Sequence, residues 1–185
     1  MATALFSDAE SRMQKAAEAL MREMNTVRTG RATPALVENL TVDYHGMPTP
    51  LNQLASISVP EARLLVIQPW DRQGITDIER GILKSNLGLT PTSDGTVIRL
   101  SIPQPTEERR RELVKVVKRQ AEDARVAIRN IRRDIIDKLR TMERDKEISQ
   151  DDNRRSQDQL QKLTDSFVGK IETLTDAKEA EVMEV

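Results

Sequence analysis

Residues 106–145 read TEERRRELVKVVKRQAEDARVAIRNIRRDIIDKLRTMERD, with neither glycine nor proline. Val117, Ala121, Ala124, Ile128, Ile131, Ile135, Leu139 and Met142 recur at three- and four-residue spacing, the seam of an amphipathic helix. At a rise of 1.5 Å per residue, such a helix is about 60 Å long. Thr106 suits the N-cap position, and Glu107 and Glu108 complement the positive end of the helix dipole. A rod of this length with one narrow apolar stripe requires other helices to cover it.

Two further stretches carry the same period, and the three are not contiguous. Residues 3–29 place Phe6, Ala9, Met13, Ala17, Leu20, Met24 and Val27 on one seam. Gly30 is expected to stop that helix at a left-handed C′ position, and Pro34 to confirm the break. Residues 150–183 place Leu160, Leu163, Phe167, Ile171 and Leu174 together, with Ser149 and Asp152 as a capping pair. Lys146 and Glu147 fall in a short connection, which makes the second and third helices antiparallel neighbours.

Between the first two helices the period changes. Residues 37–44, 56–59, 63–68 and 96–102 read as strands, and 75–87 as a helix through Ile75, Ile78, Ile82 and Leu83. His45-Gly46-Met47-Pro48 and Ser93-Asp94-Gly95 are turn-like, and Trp70 is assigned to the core of this lobe. Pro103-Gln104-Pro105 leads back to the rod. The expected class is therefore α+β: an elongated antiparallel three-helix bundle from 1–29 plus 106–185, with a small lobe of about four strands and one helix inserted at 30–105. Gly30, Pro34, Pro103 and Pro105 mark the hinge segments at its two ends.

Composition limits the chemistry. The chain has 185 residues, no cysteine and one histidine, which excludes disulfides, thiolate metal sites and multi-histidine metal sites. No apolar run is long enough to span a membrane, and the N-terminus lacks a signal-peptide core, so a cytoplasmic protein is expected. Neither a glycine-rich phosphate loop nor a nucleophile elbow is present, so no catalytic residue, metal or cofactor is expected. Asp151 and Asp152 read as the acids of a helix N-terminus, and His45 as a turn residue.

Net charge is −1, but residues 109–140 carry 12 Lys/Arg against 5 Asp/Glu, whereas 145–185 carry 6 against 11. On a helical wheel, Lys118, Arg125, Arg129, Arg132 and Arg140 fall within roughly 40° of one line beside the seam, with Arg133 at its border. Asp123, Asp134 and Asp137 fall on the far side. Glu122 lies at the edge of the stripe and Ile136 interrupts it. One reading is a solvated face with i,i+4 ion pairs. The other is a row of arginine forks matched to the phosphates of a structured RNA, which the segregation of acids from bases favours. Arg28 and Arg31 flank the exit of the first helix, where they serve either a helix C-cap or the same RNA. An adaptor that binds only protein remains the competing class.

At these residues the chain resembles the bacterial-type ribosome recycling factors. The matching stretches are Arg28-Thr29-Gly30-Arg31-Ala32, Asp43-Tyr44, Pro48-Thr49-Pro50-Leu51, Gln53-Leu54-Ala55-Ser56, Ser85-Asn86-Leu87-Gly88-Leu89, Thr106-Glu107-Glu108-Arg109-Arg110, Arg129-Asn130-Ile131-Arg132-Arg133 and Gln161-Lys162-Leu163-Thr164-Asp165. They span essentially the whole chain in family order. His45, where a second tyrosine is more usual, and Asn86, where an aspartate is common, depart from the pattern. The resemblance implies an L-shaped molecule in which a two-strand hinge joins the bundle to a β/α/β lobe. It implies binding to the post-termination ribosome and, with elongation factor G and GTP, its separation into subunits, the GTPase being the partner's. By the same resemblance the bundle lies on large-subunit rRNA through Arg129 and Arg132, with Arg28, Arg31 and Arg133 as neighbours, while lobe and hinge face elongation factor G. The chain is expected to act as a monomer.

Overall fold

A computed structural model describes residues 2–184. Residues up to Thr29 together with Glu107–Glu184 form one compact unit, and Gly30–Thr106 a second.

The first unit is three long helices: α1 (Ala2–Asn25), α3 (Glu107–Arg144) and α4 (Gln150–Met183). Their seams meet as the heptad spacing dictates. Val117, Ala121, Ile128, Ile135 and Leu139 of α3 are buried against Ala9, Met13 and Leu20 of α1 and Leu160, Phe167 and Ile171 of α4. The turn from α3 to α4 is a Schellman closure. Glu147 N donates to Met142 O (2.8 Å) and Lys146 N to Glu143 O (3.0 Å), with Lys146 itself left-handed at φ 59°. Ser149 Oγ then accepts from Asp152 N at 3.1 Å, opening α4 as the capping pair predicts. The Asp152 carboxyl is held below its usual range, first by its hydrogen bond with the Ser149 side chain.

α1 ends earlier than the sequence reading places it. Thr26 N and Val27 N bond back three residues to Glu23 O and Met24 O, and Thr26 Oγ1 also donates to Glu23 O, so the last turn tightens and closes at Asn25. Gly30 therefore does not cap the helix. It is left-handed (φ 81°), and a Cβ there would lie 2.6 Å from Pro105 Cδ, so glycine is required where the outgoing and returning chains pass each other. Both chains are tied to one turn, since Ala32 N donates to Ala62 O and Ile102 N to Arg63 O, each at 2.8 Å.

The second unit contains six strands where four are read from the sequence. β1 (Thr41–Tyr44) and β2 (Met47–Pro50) form a hairpin. Its two-residue turn is His45-Gly46, both left-handed at φ 51° and 80°. The antiparallel sheet has the order β3-β4-β6-β5, from β3 (Ala55–Glu61), β4 (Leu64–Pro69), β5 (Pro91–Ser93) and β6 (Ile98–Ser101). Residues 37–40, expected to open a strand, instead follow a 3₁₀ turn at Pro34–Leu36, because Pro34 presets the first helical position. α2 (Ile75–Lys84) buries Ile75, Ile78 and Ile82 in one core with Leu65, Ile67, Ile98 and Leu100. It packs closely on β1 at Gly81, where a Cβ would meet Val42 Cγ2 at 3.2 Å. Trp70 is not in that core. It follows the last residue of β4 and is 68% exposed, because the alternation that buries Leu65, Ile67 and Pro69 turns the next side chain outward.

Candidate nucleic-acid interface

α3 is covered on one side by α1 and α4, which leaves its opposite side to solvent. Two borders of that open side have opposite character. Along the α1 border, Asp134 accepts from Arg12 Nη1 at 2.5 Å and pairs with Lys138 Nζ at 3.2 Å, so its carboxyl sits below the usual range. The Arg12 guanidinium is correspondingly pushed up by that hydrogen bond. Along the α4 border, Arg132 Nη1 donates to Gln161 Oε1 at 2.6 Å, and Gln161 Nε2 donates to Asp165 Oδ1 at 2.8 Å. This relay fixes the half-buried Arg132 side chain at that border, where it would otherwise sweep freely.

Between the borders the arginines are graded by exposure. Arg125 is half-buried, while Arg129, Arg133 and Arg140 are exposed. Arg133 makes no hydrogen bond or ion pair among the described residues. Arg140 is loosely paired with Asp137 at 3.8 Å, both side chains well exposed. Arg125 and Arg129 share one acid: Glu122 accepts from Arg125 Nε at 3.2 Å and from Arg129 Nη2 at 2.6 Å. The Glu122 carboxyl is held low, first by Arg125 and then by Arg129. The helix wheel leaves Glu122 at the margin of the stripe, whereas its side chain reaches one turn to Arg125 and two turns to Arg129. The face is nevertheless cationic over 125–133: Arg125, Arg129, Arg132 and Arg133 stand against that single carboxylate.

The remaining candidates are spread out. Arg28 lies beyond the end of α1, exposed and without a hydrogen bond or ion pair among the described residues, and Arg31 is exposed in the second unit. Arg110, by contrast, falls on the α3 seam, is only 8% exposed, and its Nε has no hydrogen-bond partner. It is removed from any surface patch. The Gln161–Asp165 bond is an i,i+4 pair within α4, whereas the hold of Gln161 on Arg132 has no sequence signal, because it depends on the register between α3 and α4. Among the described residues no cluster of His, Cys, Asp and Glu could hold a metal ion, and no helix is long and apolar enough to cross a membrane.

The sequence profile of the ribosome recycling factors matches residues 20–183. The ribosome-recycling factors of Geobacillus sp. (strain WCH70) and Halalkalibacterium halodurans are each 58% identical over 185 residues, covering 100% of this chain and of theirs. This chain belongs to the ribosome recycling factor family. A solution structure of a ribosome recycling factor superposes with a TM-score of 0.74 at 43% identity, covering 100% of this chain and 98% of that one. The Thermus thermophilus ribosome recycling factor, in a set with elongation factor G on the Escherichia coli post-termination complex, superposes with a TM-score of 0.65 at 42% identity over the whole of both chains. Ribosome recycling factors are translation factors and not enzymes, and this chain shares their long helices and separate small β lobe.

Proposed function

We infer that this chain recycles ribosomes: it binds the post-termination ribosome and, with elongation factor G and GTP, drives its dissociation into subunits. The chain needs no catalytic residue for this, because the GTPase is the partner's. The observation that carries the reading at residue level is the cationic face of α3. Arg129 and Arg132, with Arg125 and Arg133 beside them, present guanidinium forks along about 12 Å of one rigid helix. That spacing suits successive phosphates of a folded large-subunit rRNA. Arg28 and Arg31, each exposed on its own unit, are proposed to add phosphate contacts of their own. The acids of α3 support this reading, since Asp134 is occupied by Arg12 and Lys138 on the opposite border.

The two crossings are proposed as the hinge. Pro34, Pro103 and Pro105 have a fixed φ, Gly30 alone has wide backbone freedom, and both crossings hang from the Ala62-Arg63 turn. A push delivered to the lobe by elongation factor G is thereby carried into an anchored bundle as a rigid-body rotation. The site of action is the cytoplasm, and the working form a monomer.

The test is subunit separation followed by light scattering on post-termination ribosomes. Chain, elongation factor G and GTP together should split them, and omission of any one should not. A disulfide introduced across the crossings of this cysteine-free chain should stop splitting and leave ribosome binding intact. Splitting at full rate by the cross-linked protein overturns the hinge reading.

A further inference from the structure

One carboxylate stands inside the cationic face, and its position is informative. Glu122 is exposed on α3, yet its two oxygens are taken by different arginines, Oε2 by Arg125 Nε at 3.2 Å and Oε1 by Arg129 Nη2 at 2.6 Å. A carboxylate accepting from two guanidinium groups occupies the place of a phosphate: both are oxyanions that satisfy the same N–H donors at the same distances. An incoming RNA phosphate cannot use those donors while Glu122 holds them.

We propose that Glu122 is an internal phosphate mimic that occupies the Arg125–Arg129 forks in the free protein and is displaced when RNA phosphate binds. The inference rests on the reading of α3 as the RNA-binding face. Two physical consequences follow. The carboxylate lowers affinity for any polyphosphate, because one ion-pair set must be broken before another forms. It also keeps the two forks extended and ordered before RNA arrives, so the face is pre-shaped but not freely adhesive. Breaking the clamp is easy, since Glu122 and Arg129 are exposed, Arg125 is only half-buried, and ion pairs open to solvent are individually weak. A gate made of buried ion pairs could not open at that cost.

The three acids that follow it on α3, Asp123, Asp134 and Asp137, do not share this role. Asp134 and Asp137 pair with Lys138, Arg12 or Arg140, and Asp123 makes no ion pair among the described residues. Asp123 is exposed and adjoins Glu122 in sequence but points to the other side of the helix. It therefore controls for net charge.

The experiment compares the full-length chain with Glu122→Gln, Glu122→Ala and Asp123→Asn. Two probes are used: ribosomes in co-sedimentation, and polyuridylate as a structureless phosphate chain. Glu122→Gln keeps size and shape and removes the charge. It should tighten binding to both probes by about threefold to fivefold at low salt, the factor set by the loss of exposed ion pairs. Glu122→Ala should follow it. Asp123→Asn should change affinity by less than half of that. In an Arg125→Ala, Arg129→Ala background the gain from Glu122→Gln should vanish, because nothing remains to be released. Unchanged or weakened binding by Glu122→Gln overturns the proposal, as does an equal gain from Asp123→Asn. The underlying RNA reading fails differently: Arg129→Ala and Arg132→Ala would then leave ribosome binding unaltered, whatever Glu122 does.

Discussion

Replacing Gly30 by alanine separates two reasons for a glycine. The residue is left-handed at φ 81°, and its missing side chain faces Pro105. A left-handed alanine costs about 1–2 kcal/mol on conformational grounds alone. The added Cβ would also stand 2.6 Å from Pro105 Cδ and 3.3 Å from Cγ, both on a rigid ring. Relieving that overlap displaces a crossing segment and costs about 1–2 kcal/mol more, the range for forced overpacking. Gly95 supplies the comparison, since it is left-handed at φ 87° and a Cβ there would meet nothing within 4 Å. Gly95→Ala should therefore lose only the conformational share. Because the chain has two compact units, global unfolding is a poor reporter. Native-state hydrogen exchange at lobe-core amides such as Leu65 and Ile67 reads the lobe directly, and the Ala32 amide, bonded to Ala62, reads the crossing. Gly30→Ala should reduce protection there by about 2–4 kcal/mol, roughly twice the Gly95→Ala effect, and Pro105→Ala should restore part of the difference. Equal effects from the two alanines would refute the argument that the crossing chains press on each other.

Ile128→Ala empties a fully buried position on the α3 seam and should cost the bundle about 2–5 kcal/mol in chemical denaturation followed by helical circular dichroism. Gly169→Ala should raise bundle stability by about 1 kcal/mol, because it lies within α4 and its Cβ would enter open space; a loss would mean that α4 is bent there for a reason of packing. The Asp94 carboxyl is pulled down to about 2 by the Val97 and Thr96 backbone N–H groups and by Arg99. Its folded value lies below the unfolded one of about 3.9, so its contribution is complete above that pH and disappears as pH falls through about 2. Asp94→Asn should accordingly loosen the β5–β6 hairpin at neutral pH, and the difference from the parent chain should close in the most acidic samples of an NMR titration.

The periodic parts of the fold are legible in the amino-acid order alone. The α3 seam from Val117 to Leu139 is buried as its spacing predicts, and Ser149 opens α4 by capping. Local chemistry misleads where tertiary contact decides. Gly30 reads as a helix cap, but α1 closes at Asn25 and the glycine serves the approach of Pro105, a neighbour distant in sequence. Lys146 closes α3 in a left-handed conformation with no glycine to announce it. The short strand β5 escapes notice because Pro91-Thr92-Ser93 has no apolar alternation, and Trp70, read as lobe core, is turned outward by the alternation of β4. The candidate interface divides in the same way. Wheel geometry gathers Arg125, Arg129, Arg132 and Arg133 and separates the acids. The hold of Gln161 on Arg132 depends on which residues of α4 lie opposite α3, and the Glu122 clamp depends on side-chain reach, neither of which a wheel contains.

Co-sedimentation with ribosomes over a salt series, comparing the parent chain with Arg132→Ala and with Arg129→Ala plus Arg132→Ala, tests the RNA-binding face most directly. Each charge-assisted contact to phosphate contributes about 1.5–3 kcal/mol, so the single variant should bind at least about tenfold more weakly. The slope of log affinity against log salt should fall by about one for the single variant and about two for the pair. Full affinity with an unchanged slope in the double variant would contradict the account, and the bundle would then engage the ribosome through some other surface.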